Sequence, residues 1–163
     1  MDDHLKEEDL VFMRIALEQA AQSASIGEVP IGAVLVHQGT IVAQSHNHRE
    51  TWQDPTAHAE MIAIRESAKM LGRWRLIDTT LFVTLEPCAM CLGAIILARI
   101  PRLVFGATDP KAGACGSVLD FASNPRLNHR VEVVGGVLAE DSQRMLTQFF
   151  KAIRTQQPDC RTS

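Results

Sequence analysis

Residues 81–91, Leu81-Phe82-Val83-Thr84-Leu85-Glu86-Pro87-Cys88-Ala89-Met90-Cys91, run from an apolar, β-branched stretch straight into a helix start. Leu81 to Leu85 lack the polar alternation of a half-exposed strand, so they predict a short buried one. Pro87 opens a helix to about Ala98, because proline suits the first turn, where its missing N–H costs nothing. Leu103-Val104-Phe105-Gly106 then predicts a second strand. A strand, a helix and a strand in succession are the unit of an α/β domain with a largely parallel sheet.

The rest of the chain fits around that unit. Leu10, Met13, Leu17 and Ala20 recur at helical spacing within residues 5–25, and Gly27 follows as a stop. Ile31 to Val36 and Thr40 to Ala43 flank His37-Gln38-Gly39, which predicts a β-hairpin. Ser45 to Pro55 reads as a loop, and Thr56 or Asp54 caps a helix from about Ala57 to Leu71, closed by Gly72. Residues 107–117 are Gly-rich and polar, hence a loop. Val131 to Val134 form a last strand, and Glu140 to about Ile153 a last helix. The pattern predicts one domain over residues 1–155, with helices on both faces of a mixed sheet, and a frayed polar tail over 156–163.

Composition narrows the class. The chain has 163 residues, 46% hydrophobic and 21% charged, as in an ordinary globular protein. Nowhere do about 18 apolar residues run uninterrupted, so no membrane span is expected. Residues 1–9 hold five acids and one lysine, the reverse of a secretory signal, so a cytoplasmic location is expected. In that compartment Cys115 and Cys160 are expected to be free thiols. The formal net charge of −3 does not announce a nucleic-acid partner, although a local basic patch can still bind one. Arg73, Arg75, Arg99, Arg102, Lys111, Lys151 and Arg154 are the candidates for phosphate contacts.

Two short pieces carry chemistry: His58-Ala59-Glu60 and Pro87-Cys88-Ala89-Met90-Cys91. Cys88 and Cys91, at i and i+3, share one helix face. A helix N-terminus favours their thiolates, and a soft thiolate pair suits zinc. By itself a Cys-x-x-Cys is also a redox motif or two buried thiols. His58 supplies a third donor, and three protein donors leave the fourth position of a tetrahedral ion for water, as in catalytic sites. Glu60 is the candidate proton carrier. One geometric difficulty stands: inside a helix, residues i and i+2 point about 200° apart. His58 and Glu60 converge only if both lie at the very start of their helix.

On these two pieces the chain resembles the cytidine/deoxycytidylate deaminase superfamily, whose His-x-Glu and Pro-Cys-x-x-Cys roles are established: zinc ligation by His and both Cys, proton transfer by Glu. The zinc motif identifies the superfamily only. Glu28 to Val34, Asn47, Asp54 to Glu60, Leu76 to Leu81, Thr84 to Cys88, Val104 to Ser117 and Asn128 to Val131 extend the likeness over about residues 8–154 and towards its tRNA-acting branch. Membership implies a three-layer α/β/α fold with a five-stranded mixed sheet, a homodimer, and one zinc per subunit. It also implies hydrolytic conversion of the wobble adenosine of a tRNA anticodon arm to inosine. Asn47 would hold the flipped nucleoside, Asp109 would contact a neighbouring ribose, and Lys111 and Phe150 would lie near the loop. Cys115 departs from the alanine common in close relatives. A deaminase of a free nucleobase or nucleoside, such as cytidine or guanine, fits the zinc motif equally well, and a non-catalytic zinc-containing RNA-binding protein leaves Glu60 without a purpose.

Overall fold

The computed structural model describes residues 5–157. Its elements run α1 (Glu7–Ser25), β1 (Gly32–His37), β2 (Thr40–His46), α2 (Ala59–Leu71), β3 (Thr79–Leu85), α3 (Ala89–Leu97), β4 (Arg102–Ala107), β5 (Glu132–Val134) and α4 (Ala139–Gln156). The five strands form one sheet in the order β2-β1-β3-β4-β5. β1 pairs antiparallel with both β2 and β3, whereas β3, β4 and β5 are mutually parallel. The expected mixed sheet is therefore present.

Strand alternation builds the layers. Val34, Val36, Phe82 and Val104 point to one face and pack with Met13 and Ala16 of α1 and with Val137 just ahead of α4. Their neighbours Ala33, Leu35, Leu81, Val83, Leu103 and Phe105 point the other way, onto Ala59 and Ala63 of α2 and Leu92, Ile95 and Ile96 of α3. Strands apolar at every position thus bury both faces, as a sheet between helical layers requires.

A buried ion pair ties the first layer to the sheet. Arg102 of β4 donates to both carboxylate oxygens of Asp9 in α1, at 2.7 and 2.8 Å, and its Nε lies 3.5 Å from Glu132 of β5. This corrects one expectation: Arg102 is 5% exposed and engaged with acids, so it is not a phosphate-binding surface residue.

Several boundaries also shift. β2 continues to His46, beyond Ala43, because its pairing with β1 extends to Gly32↔His46. Gly72 closes α2 as expected, at φ 65°, the left-handed region that glycine enters without a Cβ clash. α4 runs to Gln156, into the stretch expected as tail, and residues 158–163, with Cys160, lie outside the described residues. Cys115 is a free thiol. Among the described residues no helix is long and apolar enough to cross a membrane.

Candidate active site

Both chemical motifs sit at helix N-termini, two residues earlier in the helix than expected, because α2 starts at Ala59 instead of Ala57 and α3 at Ala89 instead of Pro87. His58 is the N-cap of α2, with extended backbone at φ −77° and ψ 150°. Cys88 is the N-cap of α3, at φ −75° and ψ 175°. Pro87 therefore precedes the cap instead of occupying the first turn. Neither Thr56 nor Asp54 caps α2. Asp54 Oδ1 accepts from the backbone N–H and hydroxyl of Thr56, which shapes the turn leading to His58.

The cap geometry removes the angular difficulty. The 200° separation holds only when both residues are helical, and His58 is not. Its side chain does not cap the helix. The buried Asn47 does so from outside, its Oδ1 accepting from Ala59 N–H at 3.0 Å. The imidazole is thereby released to face the cysteines. His58 Nδ1 lies 3.7 Å from Cys88 Sγ and 3.5 Å from Cys91 Sγ.

These spacings test the expected metal. Zinc bonds of about 2.3 Å to sulfur and about 2.0–2.1 Å to nitrogen, at the tetrahedral angle, place nitrogen and sulfur about 3.6 Å apart. The observed distances bracket that value. All the donor atoms of His58, Cys88 and Cys91 lie within 4.8 Å of one another, and among the described residues the group includes no fourth His, Cys, Asp or Glu. None of the three cysteines among the described residues is in a disulfide. The donor set fits a catalytic zinc ion.

The electrostatics agree. The Cys88 thiol is pulled down to about 3, first by its hydrogen bond with Cys91 and then by His58, against the opposing effect of burial. Its Cys91 partner is pushed up by that same hydrogen bond and by burial. The two sulfurs thus share a proton, which a dication binding both displaces. The hydrogen bond to Cys88 raises His58, against burial.

Glu60, in the first turn of α2, is 4% exposed. Burial pushes its carboxyl up to about 7, more than its own backbone N–H and His58 pull it down. Its Oε2 has no hydrogen-bond partner although it is fully shielded. A buried carboxylate oxygen left without a donor is costly in a finished structure and is usual where a reacting group docks.

A cavity of about 480 Å³ opens over this cluster. That lies within the range of small-molecule sites, about 300–1,000 Å³. Asn47, Asp109, Lys111 and Phe150 all line it, together with His58, Glu60 and Cys88. Asp109 comes from the loop after β4, where its Oδ1 also accepts from Lys111 and Ala112 N–H. Phe150 is 45% exposed on α4, whereas its neighbour Phe149 is half-buried and meets it edge-on.

Arg49, Gln143 and Glu86 are among the lining residues that were not expected at the site. Arg49 follows Asn47 by two positions, and that proximity was the available signal. Gln143 lies on the expected helix α4, seven positions before Phe150, a helical spacing that places the two on one face. Glu86 sits between a strand and the zinc motif, where it reads as a connector.

Residues 6–107 match the cytidine and deoxycytidylate deaminase zinc-binding region. The chain is 50% identical over 147 residues to the tRNA-specific adenosine deaminase of Bacillus subtilis, covering 90% of this chain and 91% of that protein. A solved structure from a study of A-to-I editing by tRNA:A34 deaminases superposes with a TM-score of 0.81 at 46% identity, over 83% of this chain and 99% of that one. The guanine deaminase of Bacillus subtilis superposes less well, with a TM-score of 0.61 at 31% identity, over 98% and 99% of the two chains. By the zinc-binding region and by this identity over nearly its full length, the chain belongs to the cytidine and deoxycytidylate deaminase family, in the branch that holds the tRNA-specific adenosine deaminases.

Proposed function

We propose that the protein hydrolytically deaminates the wobble adenosine of a tRNA anticodon to inosine, with Glu60 as proton carrier and His58, Cys88 and Cys91 holding one zinc per chain. The observation that carries the chemistry is the shielded, unpartnered Glu60 Oε2 beside a three-donor metal cluster. A structural zinc site needs no such carboxylate. The substrate reading is supported by the relatives, at 50% identity to a tRNA-specific adenosine deaminase against 31% to a guanine deaminase.

Zinc in this site would lower the pKa of a water from about 15.7 towards about 7 and so activate it for attack. Glu60 Oε2 takes one proton from that water as it adds to carbon 6 of adenine. The carboxyl then delivers the proton to ring nitrogen 1. It next takes the remaining hydroxyl proton and passes it to the departing amino group, so water plus adenosine becomes inosine plus ammonia. A carboxyl titrating near neutrality, as burial makes Glu60, can both accept and donate at physiological pH. Asn47, fixed by its bond to Ala59 N–H, presents its amide to the nucleoside, and Asp109, Lys111 and Phe150 border the entrance. An anticodon loop presents an unpaired base, so extracting it costs little.

We also propose that the protein acts as a homodimer, as the resemblance implies, and in the cytoplasm, with a single deaminase domain that ends with α4 at Gln156. A side-by-side assay tests the substrate: an anticodon stem–loop with adenosine at the wobble position, against free guanine and free cytidine. Inosine in the stem–loop supports the proposal. Turnover of guanine or cytidine alone overturns it.

A further inference from the structure

We infer that Glu86 is a positioning residue that sets the substrate-binding loop over residues 108–117, an inference that rests on the tRNA reading for its kinetic consequence. Glu86 is 2% exposed and follows β3 directly, two residues before Cys88. Its carboxylate accepts four hydrogen bonds, all from the loop after β4. Oε1 accepts from Asp109 N–H at 3.2 Å and from the Ser117 hydroxyl. Oε2 accepts from Cys115 N–H at 3.1 Å and Ser117 N–H at 3.3 Å.

The loop also braces itself: Gly113 O accepts from Val118 N–H at 2.9 Å and Leu119 N–H at 3.1 Å, and Ala114 is buried in the core. It carries no helix and no strand of the sheet, and Lys111, Ala112, Gly116 and Ser117 are exposed. Two further ties reach the same segment as Glu86: Ala114 N–H donates to Pro87 O at 2.9 Å, and Cys88 bridges Gly113. Gly113 packs against the carboxylate so closely that a Cβ there would collide with Glu86 Oε2 and lie 2.6 Å from Asp109 O. A single acidic side chain thus takes three backbone N–H donors that a strand would have paired in a ladder. Through Asp109 N–H it also fixes the backbone of a residue that lines the cavity.

The geometry makes Glu86→Gln a sharp probe. Four donors converge on two oxygens, and an amide offers only one oxygen. If the substituted side chain turned that oxygen to Cys115 and Ser117, its NH₂ would face Asp109 N–H. Donor would meet donor, and only the Ser117 hydroxyl could turn to accept. The metal donors His58, Cys88 and Cys91 are untouched by the change.

The test compares wild type, Glu86→Gln and Ser117→Ala, each zinc-loaded, on an adenosine stem–loop. Amide hydrogen exchange is measured on the same samples. For Glu86→Gln, zinc content stays at the wild-type level. KM rises by about 10- to 100-fold, the span for one lost bond to a charged group, while kcat falls less. The amides of Asp109, Cys115 and Ser117 exchange faster. Ser117→Ala, which keeps every backbone bond to Glu86, shifts KM in the same direction by a smaller factor. It serves also if Glu86→Gln does not fold. Wild-type KM and exchange in both variants would overturn the inference, as would loss of zinc with KM unchanged, which would make Glu86 a support of the metal site. If wild type itself ignores the stem–loop, the substrate reading fails, and the exchange of those three amides still decides the role of Glu86.

Discussion

Replacing Arg102 by methionine strips a fully buried carboxylate of its partner. Asp9 is 0% exposed, and among the described residues its carboxylate accepts, besides the Arg102 bonds, only from Lys6 N–H, at 2.8 Å. Burial pushes the Asp9 carboxyl up, but the Arg102 hydrogen bonds, the Lys6 N–H and the Arg102 charge together hold it below its ordinary range. Breaking such a pair from one side costs about 3–5 kcal/mol, because the remaining charge stays buried. At about 2–4 °C per kcal/mol for a chain of this size, the melting temperature falls by on the order of 10 °C. Removing both charges, as Asp9→Leu with Arg102→Met, restores most of the loss, since an apolar pair of similar volume is often neutral or better. Acid should erode the wild-type advantage. The depressed carboxyl contributes fully above its unfolded value near 3.8 and loses that contribution as pH falls through the folded value. Urea unfolding of the three zinc-loaded proteins at pH 7, and again through the acid range, measures all of this. A single variant within about 1 kcal/mol of wild type, or a double variant no better than the single, would refute the reasoning.

Gly113→Ala forces a methyl group onto Glu86 and Asp109 O; overpacking costs about 1–3 kcal/mol, so both stability and stem–loop KM worsen, by thermal melting and steady-state kinetics. Gly72→Ala meets no neighbour within 4 Å but must hold φ 65°, so it loses about 1 kcal/mol of stability and no activity. Cys88→Ala removes a metal donor, so zinc affinity, measured by competition with a chelator, falls by more than the roughly 100-fold that loss of an outer-shell partner causes. Unchanged affinity would show that Cys88 does not ligate.

The layers were legible because β3 and β4 are apolar at consecutive positions, and only a sheet covered on both sides buries such strands. The metal cluster was legible because His58, Cys88 and Cys91 keep their types and spacing whatever the backbone does. How His58 and Glu60 converge was not. It depends on His58 having extended dihedrals, and on Asn47 capping α2 from a segment that reads only as loop. The role of Glu86, as distinct from its place in the likeness, was not legible for a related reason. Its partners Asp109, Cys115 and Ser117 lie 23 to 31 residues away, and no periodicity links them. Arg102 misled because a basic side chain reads as surface until its acid, 93 residues upstream, is seen beside it.

Glu60 decides the account, and it is tested by loading Glu60→Ala with zinc, verifying metal content against wild type, and following inosine formation at the wobble position under single-turnover conditions. The structure predicts full metal occupancy with a rate lowered about 100-fold or more, the usual contribution of a proton-transferring side chain. Inosine appearing at the wild-type rate from the metal-loaded variant would contradict the role assigned to this carboxylate.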